Sequence, residues 1–109
     1  MKENIFAAIP DALPDELSEI LARREGVIIE RIVSRAHSSA PDFWYDQDHD
    51  EFVILLRGTA TLRFRPDEGT VELSVGDYLL IPAHRKHRVE STSSSPEAVW
   101  LAVHLPPNR

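Results

Sequence analysis

From Val27 onward, short runs of alternating apolar and polar residues are each closed by turn residues, and this period of two constrains the fold most. VIIERIVSRA (27–36) is rich in β-branched residues and stops at the Ser-Ser-Ala-Pro cluster of 38–41. EFVILLR (51–57) runs into Gly58, after which Ala60, Leu62 and Phe64 alternate with Thr61, Arg63 and Arg65. RPDEGT (65–70), punctuated by Pro66 and Gly69, reads as a hairpin turn, and Val71, Leu73 and Val75 resume the alternation. Gly76-Asp77 turns the chain again before YLLIP (78–82), HRVES (87–91) and VWLAVHL (99–105). So many short strands at a spacing near ten residues predict a small sandwich or barrel over about 27–105. Ahead of it, Leu13, Leu17, Ile20 and Leu21 fall at i, i+4, i+7 and i+8. With Pro14 in the first turn, Arg23 and Arg24 in the last and Gly26 as C-cap, this spacing predicts one amphipathic helix over about 13–25.

Composition removes whole classes of function. The 109 residues hold a single compact domain by size, and twelve Lys+Arg against eighteen Asp+Glu leave a net charge of −6, which repels nucleic acid. Without cysteine the chain has no thiolate zinc site, Fe–S cluster or Cys nucleophile. No G-x-S-x-G, HExxH or phosphate-cradling glycine loop occurs, so hydrolase-type nucleophiles and nucleotide binding fall away. Apolar runs stay far below the ~18 residues of a membrane span. MKENIFAAIP makes a poor signal peptide. A cytoplasmic protein with no nucleic-acid or membrane partner is expected.

Two segments carry the chemistry. FWYDQDHDEFVILLRG (43–58) places six residues between Glu51 and Gly58; GDYLLIPAHRKHRVES (76–91) places Pro82 six residues after Gly76 and His87 five after Pro82. These resemble the two motifs of the cupin superfamily, G-x5-H-x-H-x(3,4)-E-x6-G and G-x5-P-x-G-x2-H-x3-N, and the likeness covers about 27–105. PDFWYDQ, LLIPAHRKHRVE and VWLAVH resemble small, single-domain bacterial cupins. The resemblance implies an all-β double-stranded β-helix, the jelly-roll cupin barrel, here preceded by the one α-helix. It also implies a divalent transition metal (Fe, Mn, Ni, Co or Zn).

The chain departs from the motifs at several positions. The family's two motif-one histidines fall on Tyr45 and Gln47 if three residues precede Glu51, and on Trp44 and Asp46 if four do. Ser39 replaces the opening Gly, His84 the motif-two Gly and Ser91 the terminal Asn. The metal ligands expected from the resemblance are therefore Glu51 and His87, with Gln47 and His84 completing the set and Asp46 as the alternative to Gln47. Glu51 shares strand parity with Val53 and Leu55, where a carboxylate needs a partner or a cation unless it reaches water at the barrel mouth. His87 shares parity with Val89 and points inward, either as a ligand or bonded to a backbone carbonyl. His49 lies in an acidic DQDHDE run without EF-hand spacing, and His104 alternates with Trp100 and Ala102. Trp44, Tyr45, Phe52, Phe64, Tyr78 and Trp100 are assigned to the core, one or two of them lining a pocket.

Two functions stay open: a metal-dependent enzyme of the oxygenase or isomerase/lyase kind, and a non-catalytic module that binds or senses a small molecule, with a structural metal or none. Fold does not choose between them. VIIERIVSRA and VWLAVHL carry bulky apolar residues on both faces, which predicts a homodimer with the N-terminal region at its interface.

Overall fold

A computed structural model describes residues 1–65 and 69–107. Eight strands carry the fold: β1 (Leu17–Arg24), β2 (Val27–Ser34), β3 (Asp50–Arg57), β4 (Ala60–Phe64), β5 (Thr70–Leu73), β6 (Tyr78–Ile81), β7 (His87–Thr92) and β8 (Ala98–Leu105). They form a five-stranded sheet in the order β1-β2-β8-β3-β6 and a three-stranded sheet in the order β5-β4-β7. Every named pairing is antiparallel. The expected all-β jelly roll is what the chain builds. β4 and β5 pair antiparallel, while residues 66–68 of the turn expected at 65–70 lie outside the described residues.

Alternation sets the interior. Val53 and Leu55 of β3, Trp100 of β8 and Ile81 of β6 meet Ala60 and Leu62 of β4 and Leu73 of β5 in one buried cluster. These are the positions of even spacing that the sequence places on one face, and their burial supplies the main drive for packing the two sheets together.

The predicted helix over 13–25 is not formed, and no helix occurs among the described residues. Leu17–Arg24 is instead an edge strand paired with β2 from Leu17↔Val33 to Arg24↔Val27, with a bulge between Ile20 and Ala22. A three-turn helix is marginal on its own, whereas this segment finds a β-branched partner strand whose backbone groups it completes. Ion pairing adds to the match: Glu19 accepts from the buried Arg31 guanidinium, directly across the ladder. Gly26 does adopt positive φ (76°), but to close the β1–β2 hairpin rather than to cap a helix. Arg31 also donates to the carbonyls of Ile5 (3.0 Å) and Ala7 (2.6 Å), pinning the irregular N-terminal segment across the outside of the sheet.

Candidate functional site

A cavity of about 320 Å³ opens between the two sheets, at the low end of the ~300–1,000 Å³ typical of small-molecule sites. Its floor is apolar, from Ile32, Val53, Leu62, Ile81, Val89 and Trp100. Glu51 and His87 stand on its wall, 9% and 5% exposed. Glu51 projects from β3 on the same face as Val53, opposite Ile81 on one side and His104 on the other. His87 begins β7, where its backbone exchanges hydrogen bonds with Tyr45 (2.7 and 3.2 Å) and its ring stacks on the Tyr45 ring at 5.2 Å. These contacts fix the imidazole.

The orientation of His87 follows from its partners. Nδ1 lies 2.9 Å from the Arg85 carbonyl, which only accepts, so Nδ1 carries the proton and donates. Nε2 then presents its lone pair, 3.9 Å from Glu51 Oε1. That gap is too wide for a hydrogen bond. Among the described residues no side-chain or backbone donor serves the Glu51 carboxylate. Burial consequently pushes its pKa above the ordinary carboxylate value, against the pull of the nearby His104 and His87 rings. Burial likewise raises Tyr45, keeping its phenol protonated.

Of the four residues expected to share a site, three line this cavity: Gln47, Glu51 and His87. His84 does not. It has a left-handed backbone (φ 65°), its ring is 70% exposed, and its Nδ1 lies 2.8 Å from Asp46 Oδ1. Asp46 is thereby engaged outside the cavity, while Trp44 lies beneath the Arg65 guanidinium at 4.6 Å. Tyr45 and Gln47, by contrast, both line the cavity.

Sequence reasoning gives Glu30 and His104 no role. Both line the cavity, and His104 Nε2 donates to Glu30 Oε1 at 2.6 Å. This bond lowers the Glu30 pKa and raises that of His104. The signal that could have found them is strand parity: Glu30 alternates with Ile28 and Ile32, and His104 with Trp100 and Ala102.

The donors of the wall fit a metal ion as an open site rather than a closed one. Bonds of about 2.0–2.2 Å to each at a tetrahedral angle of about 109° put the two atoms about 3.3–3.6 Å apart, so the 3.9 Å gap between Nε2 and a carboxylate oxygen has to close by a few tenths of an ångström around an ion. Gln47 adds a neutral amide oxygen on the same wall. Among the described residues, no group of three His, Asp or Glu gathers as a metal cage.

Two facing antiparallel sheets enclosing a small, partly polar cavity define a ligand-binding jelly-roll barrel. The sequence model described as "Cupin domain" matches residues 32–104, and the chain belongs to the cupin domain family. Its structure superposes on that of a protein from Ralstonia eutropha JMP134 described as a "putative mannose-6-phosphate isomerase". The two share 40% identity over 97% of this chain and 98% of that one, with a TM-score of 0.92. A cupin superfamily protein of Desulfitobacterium hafniense DCB-2 (23% identity, 90% and 84% coverage, TM-score 0.74) shares the fold. So does a Thermus thermophilus protein (16% identity, 96% of each chain, TM-score 0.77). No curated protein matches the chain.

Proposed function

We propose that this small cupin binds a small-molecule metabolite in its cavity with a divalent transition metal (Fe, Mn, Ni, Co or Zn) held by His87 Nε2 and Glu51. Gln47 supplies a third, neutral donor. One observation carries this reading: a buried carboxylate without a hydrogen bond faces an imidazole lone pair across 3.9 Å. Such a pair is costly to bury empty and is relieved by a cation. When bound, the ion would supply Lewis-acid polarisation of a ligand oxygen. Tyr45 offers a protonated phenol as donor, and the stacked Tyr45 and His87 rings with Trp100 shape the wall. His84 is left out of this ligand set by its outward ring.

The Ralstonia protein's description suggests an isomerase acting on a sugar phosphate, and the wall argues about that ligand's charge. Glu16, Glu30 and Glu51 line the cavity, while none of its described lining residues is Arg or Lys. In the metal-free cavity a phosphate dianion therefore meets like charge, and we assign that form to neutral or cationic ligands. Mannose and mannose 6-phosphate test this directly in calorimetry on metal-free protein: the phosphorylated sugar is expected to bind no better than the free one. Tighter binding of mannose 6-phosphate would overturn the assignment.

A second reading, a metal-free binding module, is favoured by the absence of a third His, Asp or Glu around the pair among the described residues. Metal analysis of tag-free protein separates the two. In the His49→Ala background, metal retained after dialysis and lost when His87→Ala is added supports the ion; none in His49→Ala protein supports the module.

Assembly and location belong to the same reading. Tyr78 and Leu80 are exposed on the outer face of the five-stranded sheet, and the Phe52 ring packs on Tyr78 at 5.4 Å. We assign this face to a second copy, with the N-terminal region beside it, and expect light scattering to give twice the 12.4 kDa chain mass. No described helix is long and apolar enough to cross a membrane. The net charge of −6 speaks against nucleic-acid partners, and we place the protein in the cytoplasm.

A further inference from the structure

A second pair of rings stands beside the Glu51–His87 wall, and one of the two, His104, also lines that cavity. His49 precedes β3, and His104 lies near the end of β8. His49 Nε2 and His104 Nδ1 approach to 2.8 Å, with the ring centroids 4.9 Å apart. The far nitrogen of each ring is held by a carboxylate. His104 Nε2 lies 2.6 Å from Glu30 Oε1, and His49 Nδ1 lies 3.2 Å from Asp48 Oδ1.

The Glu30 contact determines how the protons sit. An ionised carboxylate only accepts, so His104 donates from Nε2 and its Nδ1 accepts from His49 Nε2 in the neutral pair. A single proton thus bridges the two facing nitrogens at 2.8 Å, and a metal ion shared by both rings can take its place. Two metal–nitrogen bonds of about 2.0–2.1 Å at roughly 90–110° span about 2.9–3.4 Å. The pair needs to open by only a few tenths of an ångström. A carboxylate on the far nitrogen is also the usual support of a metal-binding histidine.

We propose that His49 and His104 form a second cation site, taking a borderline divalent transition metal such as Zn²⁺ or Ni²⁺, with Asp48 and Glu30 orienting the two rings. Imidazole pairs suit these ions, and no hard, all-oxygen site is on offer. The two rings also line an open groove with Arg23, Arg24 and Glu25. The site is thus a two-point one, reached from that groove and distinct in residues from Glu51 and His87.

Zn²⁺ titrated calorimetrically into tag-free, chelator-treated His87→Ala protein tests the proposal without the His87 imidazole. One equivalent of Zn²⁺ is expected to bind. Adding His49→Ala, at a partly exposed position outside the strands, should abolish it, and Glu30→Gln should weaken it roughly tenfold to hundredfold. Ring ¹⁵N NMR of the His87→Ala protein should show His49 Nε2 and His104 Nδ1 shifting together on addition of Zn²⁺. Unchanged ring signals with no calorimetric binding would mean that a proton alone bridges the rings, and the site would be refuted. Zn²⁺ binding that survives His49→Ala would refute it equally.

Discussion

Two carboxylate–imidazole pairs lie within one barrel and behave in opposite ways. Glu30 and His104 are in contact at 2.6 Å; Glu51 and His87 stand 3.9 Å apart. Contact lowers Glu30 and raises His104, since each stabilises the other's charge. Separation leaves Glu51 to its burial, which raises it. The lesson is that a buried carboxylate touching its histidine is satisfied, whereas one facing it across a gap is left ready for a ligand. The protein gives up stability at Glu51 that it secures at Glu30.

The largest loss is expected from the buried core that holds the two sheets together. Leu55 is fully buried on β3, four residues from Glu51, and Leu55→Ala should cost about 2–5 kcal/mol by urea unfolding. A loss below about 1 kcal/mol would show that the core is not held as described. Next in size is the satisfied pair. His104→Ala leaves the partly exposed Glu30 carboxylate with Ser18 as its remaining donor and should cost about 1 kcal/mol. Glu51→Gln, which removes a charge without a hydrogen bond, should be neutral or slightly stabilising in metal-free protein. Equal losses from the two variants would erase the distinction between contact and gap.

The same comparison gives different pH dependences in metal-free protein. Glu30 is lowered, so its contribution is present above its ordinary 4.5 and disappears as pH falls through the lowered value. His104 is raised, so its contribution is full below 6.5 and is lost as pH climbs through the raised value. The stability difference between wild type and Glu30→Gln should therefore peak between about pH 4.5 and 6.5. Glu51 is raised, so wild type should lose ground to Glu51→Gln as pH rises above 4.5. Denaturant melts across this range check both slopes, and parallel ones would contradict the account.

How much of this is legible in the sequence differs by region. Strand parity alone places Glu51 and His87 inward, because their neighbours Val53 and Val89 line the same cavity. It also places Glu30 and His104 there, although their pairing depends on β2 lying beside β8, which no local pattern states. His84 departs from expectation for a backbone reason. Three residues before His87 it takes positive φ, and the turn carries its ring out to Asp46. The segment 17–24 reads as a helix because its apolar spacing suits one, while the partner that makes it a strand follows only after Gly26. Tertiary pairing overrides local preference there.

The central claim is that the gap between Glu51 and His87 takes a divalent ion, and thermal melting with and without metal tests it most directly. His49→Ala protein is the proper background, since it removes the His49–His104 pair from the measurement. Mn, Fe, Co, Ni or Zn at a hundredfold its dissociation constant should stabilise this protein by about 2.7 kcal/mol. The gain should vanish in the His49→Ala/His87→Ala double variant and shrink with Glu51→Gln. Melting curves that coincide with and without every one of these ions would contradict the claim and leave the cavity a metal-free binding site.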